Sequence, residues 1–81
     1  MTRPIEDDEG QLSRGTPLPV QIARLFTARI GSGALQAGDQ LPSESKLAQQ
    51  FRVSRATIRE ATRLLVGEGL VATHRGRGTF V

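Results

Sequence analysis

Residues 54–68, Ser-Arg-Ala-Thr-Ile-Arg-Glu-Ala-Thr-Arg-Leu-Leu-Val-Gly-Glu, constrain the fold more than any other stretch of the chain. On an α-helix each residue turns by about 100°. Ile58, Ala61 and Leu65 then fall within roughly 60° of one another, with Leu64 beside them. Arg55, Arg59 and Arg63 occupy an arc of roughly 80° that points nearly the opposite way, with Ala56 alongside. One side is a stripe for a core. The other is a row of guanidinium groups at i, i+4 and i+8, and like charges at that spacing repel. Glu60 offsets only part of the repulsion. Such a face is either a solvated surface or a surface for a polyanion, and the flanking sequence decides between them.

Charge is unevenly spread along the 81 residues. Residues 1–15 set Arg3 and Arg14 against Glu6, Asp7, Asp8 and Glu9, a net of −2. Residues 16–81 carry nine basic and four acidic side chains, a net of +5. Basic charge gathered on one part of a small domain is the electrostatic footprint of a nucleic-acid binder. All the basic residues but Lys46 are arginine, which suits bidentate recognition of phosphate and of guanine edges. A high-GC genome also favours arginine codons, so the bias alone decides little.

With no cysteine in the chain, disulfide scaffolds and thiolate metal sites are excluded. His74 cannot build a metal site unaided. Neither a nucleophile–base pair nor a cofactor loop is visible, and Gly76-Arg77-Gly78 is too short and wrongly placed for a dinucleotide fingerprint. The longest apolar run falls far short of the roughly 20 residues of a membrane span, and the N-terminus lacks a signal-peptide core. The expectation is a cytoplasmic, non-enzymatic domain with no cofactor and no membrane partner.

Taken in order, residues 1–15 read as a disordered acidic tail; as a functional alternative they form an arm that competes with DNA for the basic face. Residues 16–81 read as one α+β domain. Thr16-Pro17-Leu18-Pro19 leads into a first helix from about Val20 to Ile30, with Ile22, Leu25, Phe26 and Ile30 on its apolar stripe and Gly31 and Gly33 stopping it. Residues 34–41 form a loop that turns Leu35 and Leu41 inward, with a very short strand near Gln40-Leu41. Ser43 caps a second helix from about Glu44 to Phe51, and after the turn Arg52-Val53-Ser54, Ser54 caps the third.

Two short helices joined by a three-residue turn, the second with a basic outer face, make a helix-turn-helix. In that geometry the second helix enters the major groove of double-stranded DNA, bringing Arg55, Ala56 and Arg59 to base edges. The N-termini of both helices, with Ser43, Ser45, Ser54 and Thr57, offer donors to phosphates. Gly67 and Gly69 end the third helix. Leu70–Arg75 and Gly78–Val81 then read as two strands with Gly76-Arg77-Gly78 as a tight turn, a wing whose Arg75 and Arg77 reach a phosphate or a narrow minor groove. His74 is a partly exposed strand residue or a further phosphate contact.

From Gly33 to Val81 the sequence resembles the N-terminal winged helix-turn-helix of the GntR family of bacterial transcription regulators. The resemblance rests on Leu41-Pro42-Ser43-Glu44, Leu47-Ala48, Phe51, Val53-Ser54-Arg55, Thr57-Ile58-Arg59-Glu60-Ala61, Glu68-Gly69-Leu70-Val71 and Gly76-Arg77-Gly78-Thr79-Phe80-Val81, in order and at the family spacing. It implies three helices and a hairpin wing that bind pseudo-palindromic operators as a homodimer. Ser45, Arg55, Ala56, Thr57, Arg59, Arg75 and Gly76 match the family's DNA-contacting places. It further implies a repressor that occludes promoter DNA, relieved by a small-molecule effector on a C-terminal domain absent from this chain. The Pro17–Ile22 lead-in and the Gly78-Thr79-Phe80-Val81 motif look closer to the subfamily with a chorismate-lyase-like effector domain. Two positions depart from the pattern. Ala56 stands where the family often has a hydroxyl, leaving an apolar contact with a thymine methyl, and Ala37 stands where proline is usual, which implies a looser loop. On this reading Arg55 and Arg59 take guanine O6 and N7, while Thr57, Ser45, Arg63, Arg75 and Arg77 mainly hold the backbone. The rival readings are a winged helix that docks an acidic protein and one attached to an aminotransferase-like enzyme.

Overall fold

The computed structural model describes residues 15–81. The acidic tail expected over residues 1–15 therefore lies, but for Gly15, outside the described residues. Helix α1 spans Leu18–Ser32, α2 Glu44–Phe51 and α3 Arg55–Gly67, followed by strands β1 (Ala72–His74) and β2 (Gly78–Phe80).

Helix α1 runs two residues further at each end than its sequence predicts. Pro19 lies inside the first turn, where its missing N–H had no intrahelical partner to lose. The amides of Val20 and Gln21 donate instead to the Pro17 carbonyl at 3.1 and 3.2 Å. Gly31 is absorbed into the helix, and Gly33, left-handed at φ 87°, ends it. Likewise Gly67 belongs to α3, and the stop is Gly69 at φ 76°. Its N–H reaches the Val66 carbonyl at 2.9 Å while Leu70 N–H reaches Leu65 at 3.0 Å, the paired bonds of a Schellman motif.

Helix α2 keeps its expected limits and α3 its expected start, because serine caps fix both N-termini. The Ser43 hydroxyl accepts from the Lys46 amide at 3.1 Å and the Ser54 hydroxyl from Thr57 at 3.0 Å. Such caps contribute about 1 kcal/mol each. Between the helices Arg52 takes a left-handed conformation, φ 59° and ψ 48°, and its N–H closes α2 on the Ala48 carbonyl. Left-handed backbone costs a residue with a Cβ about 1–2 kcal/mol. A cation at a helix C-terminus returns about 0.3–1 kcal/mol of that.

The stripe Ile58, Ala61 and Leu65 is buried, as its spacing demands, against α1 and α2. It meets Ile22, Ala23 and Phe26 from α1, Leu47 and Phe51 from α2, and Leu41 and Val71 from the connections. The rings of Phe26 and Phe51 pack edge to face at 6.1 Å. Leu35, Val53 and Leu64 seal the margins. Among the described residues no polar or charged side chain is buried. Burying each Ile or Leu contributes about 1.5–3 kcal/mol, so this interior is what holds α3 in place.

Strands β1 and β2 pair antiparallel, with Ala72 opposite Phe80, Thr73 opposite Thr79 and His74 opposite Gly78. The short strand expected near Gln40 lies on the other edge of β2, with Gln40 bridged to Phe80. Leu41 N–H donates to Thr79, Val81 N–H to Asp39 and Gly38 N–H to Val81, at 2.8, 2.8 and 2.9 Å. Thus β2 is a middle strand. The hairpin turn differs from its sequence reading. It runs from His74 to Arg77, closed by Arg77 N–H on the His74 carbonyl at 2.9 Å, with Gly76 at φ 76°. Gly78 starts β2 instead of ending the turn.

Candidate nucleic-acid interface

A groove separates the outer face of α3 from the hairpin, with the start of α2 as its third wall. Arg55, Arg59 and Arg63 line it from α3, Ser43 and Ser45 from α2, and Arg75, Gly76 and Arg77 from the hairpin. Eight of the eleven residues singled out in the sequence thus face one space. Ser54 and Ala56 are exposed at the tip of α3 but do not line the groove. Thr57 is half-buried, and its hydroxyl shares a 3.0 Å hydrogen bond with that of Ser54. The caps Ser43 and Ser54 therefore already have a structural task, each receiving an amide of its own helix.

The arginines fall into two electrostatic groups. Arg59 donates from Nε and Nη2 to the two carboxylate oxygens of Glu44, at 3.2 and 3.1 Å. This fork joins α3 to the first residue of α2, and the hydrogen bond to Glu44, then its charge, raises the Arg59 pKa above the ordinary arginine value. Arg63 pairs with Glu60 one turn back on the same helix. The side chains of Arg55, Arg75 and Arg77 make no hydrogen bond or ion pair with a described residue.

The hairpin has its own fastening. Gln40 Nε2 donates to the Arg77 carbonyl at 2.9 Å, and its amide lies against Gly78. A Cβ at Gly78 would collide with that amide, and φ 121° is in any case left-handed. The ring of His74, exposed on the hairpin, stands edge to face with Phe80 at 5.7 Å.

Two participants escaped the sequence reading. Glu44 stands in the Leu41-Pro42-Ser43-Glu44 motif, yet its reach to a residue fifteen positions on leaves no trace in helical spacing. Gln40 sits in a loop, and its contact spans thirty-seven positions. The only available signal for Glu44 was charge: an acid at the start of a helix facing a basic row. Among the described residues no three potential metal ligands cluster, and no helix is long and apolar enough to cross a membrane.

Comparison with known proteins gives this geometry a family. Residues 18–81 match the family described as bacterial regulatory proteins, gntR family. The transcriptional repressor NagR of Bacillus subtilis is 43% identical over 72 residues, 86% of this chain and 30% of that protein. The repressor MngR of the Escherichia coli mannosyl-D-glycerate transport/metabolism system is 45% identical over 65 residues, 80% of this chain and 27% of that protein. The chain thus spans under a third of the length of these relatives. Among solved structures, AraR(DBD) in complex with operator ORX1 superposes with a TM-score of 0.84 at 35% identity, covering 90% of this chain and 94% of that one. YtrA from Sulfolobus acidocaldarius, a GntR-family transcription factor, gives 0.81 at 35% identity over 88% of this chain and 74% of its own. A winged helix-turn-helix whose cations line one groove, matched from α1 to β2, belongs to the GntR family of bacterial regulatory proteins.

Proposed function

We propose that this chain is the operator-reading domain of a transcriptional repressor that binds double-stranded DNA sequence-specifically. The observation that carries the reading is the groove in which five arginines from α3 and the hairpin converge, with Glu44 the one acid among the described residues that line it. The likeness to AraR(DBD), solved with its operator, supports placing DNA there.

Helix α3 enters the major groove. Arg55, paired with no described residue, and Arg59, released from or turned by Glu44, take guanine O6 and N7. Ala56 meets a thymine methyl. Ser43, Ser45, Ser54 and Thr57 receive phosphates at the two helix N-termini, Arg63 holds the backbone beside them, and Arg75, Gly76 and Arg77 hold the flanking strand or the minor groove. The reading involves no catalysis and no cofactor. In the full-length protein, a homodimer spans a pseudo-palindromic operator, and a C-terminal domain, chorismate-lyase-like by the sequence resemblance, takes the small-molecule effector that relieves repression. The protein acts in the cytoplasm, on the nucleoid.

Selection from randomised duplexes with the full-length protein, followed by fluorescence anisotropy of the selected and a scrambled duplex, tests the reading. The expected result is a two-fold symmetric site bound far more tightly than the scramble. Equal affinity for both duplexes would return the groove to an acidic protein partner.

A further inference from the structure

We propose that Arg52, in the turn between α2 and α3, is an additional DNA-phosphate ligand, held at the expense of fold stability. The proposal rests on the DNA-binding reading above.

Three observations converge on this residue. Among the described residues, positive φ falls on Gly33, Gly38, Gly69, Gly76 and Gly78 and on one residue with a side chain, Arg52. Glycine would take φ 59° freely there, so the chain keeps a strained conformation to retain this side chain. The favourable placing of a cation at the end of α2 recovers only part of the strain. Moreover, the Arg52 side chain is exposed and makes no hydrogen bond or ion pair with a described residue, so no internal contact accounts for it.

Position supplies the ligand. Arg52 comes two residues before the cap Ser54 and three before Arg55, in the turn that leads into the N-terminal end of α3 and outside the residues that line the groove. An unpaired, planar, fork-shaped cation at that margin suits a phosphate oxygen beside the major groove, where contacts fix register without reading sequence. If Arg52 were only a solvated end-of-helix cation, its replacement would leave binding untouched.

The test compares the wild-type chain with Arg52→Gly, Arg52→Asn and Arg52→Lys on a labelled random-sequence duplex across a range of salt concentrations, with thermal melting of each. Glycine and asparagine both accept left-handed backbone. The expected results are a higher melting temperature for Arg52→Gly and a loss of affinity of about threefold to tenfold for Arg52→Gly and Arg52→Asn. The slope of log K against log salt should become shallower by about 0.9 in both, with Arg52→Lys keeping the wild-type slope. Wild-type slope and affinity in the glycine and asparagine variants would overturn the proposal. A wild-type chain that bound no duplex would instead bring down the DNA reading itself.

Discussion

The two sets of arginines that face each other across the groove are mounted differently. Those of α3 stand on a helix whose opposite face is anchored by Ile58, Ala61 and Leu65 at 1–2% exposure. Two of its three heads, Arg59 and Arg63, are further steered by carboxylates of the same protein. Those of the hairpin project from the turn between two strands of three residues, one of them exposed throughout. Their heads make no hydrogen bond or ion pair with a described residue, and the turn is secured by one backbone bond and the Gln40 amide. A rigid mount suits base edges, where a bidentate contact tolerates little displacement, and both proposed base readers, Arg55 and Arg59, stand on α3. A compliant mount suits phosphates, which demand charge near a strand and little more. On the proposed DNA-binding reading, that difference would separate specificity from affinity within one small surface.

Leu65→Ala attacks the mount of α3 and should have the largest effect, a loss of about 2–5 kcal/mol in urea unfolding, enough to threaten a domain of this size. A loss well below that range would mean that the buried stripe is not what holds the row. Next comes Arg59→Ala, expected to weaken operator binding roughly 5- to 150-fold and to flatten preference at one base position. Were affinity to fall equally on every sequence, the division between fixed and compliant arginines would collapse. Arg77→Ala should weaken all duplexes alike, by about threefold to tenfold, and reduce the salt slope by about 0.9; an unchanged slope would strike Arg77 from the phosphate contacts. The smallest effect is expected at Ala37. With Gly38 at φ 94° and Asp39 N–H on the Gln36 carbonyl at 2.9 Å, Ala37 is the second residue of a type II turn, the place where proline is preferred. Ala37→Pro should stabilise the chain by about 0.4–1 kcal/mol with binding unchanged, read as a rise in melting temperature. A fall would show that the loop bordering β2 needs a freedom at that position that proline denies.

Helical spacing alone was enough to place α2, α3 and the core stripe, since the Ser43 and Ser54 caps and the Ile58–Ala61–Leu65 periodicity are local signals. Local signals misled where a glycine could be either helix or stop. Gly31 and Gly67 are helical, and the left-handed positions fell to Gly33 and Gly69, a choice that φ makes and residue identity does not. The hairpin turn slipped for the same reason, with three candidate residues around two glycines. Beyond local reach, the Glu44–Arg59 fork and the Gln40 clasp on the Arg77 carbonyl join residues far apart in sequence, and no periodicity encodes them. The left-handed Arg52 was hidden too, because its position in a turn was legible while its dihedral was not.

The interior of this domain contains hydrocarbon side chains and, among the described residues, no buried polar or charged residue. The arginines of α3 and of the hairpin project outside that interior and are not helix caps, and substitutions at such places usually shift stability by no more than about 0.5 kcal/mol. Descendants of one ancestral scaffold can therefore exchange their recognition residues almost freely and acquire new target sequences, because mutational drift on the outside leaves the folding equilibrium nearly untouched.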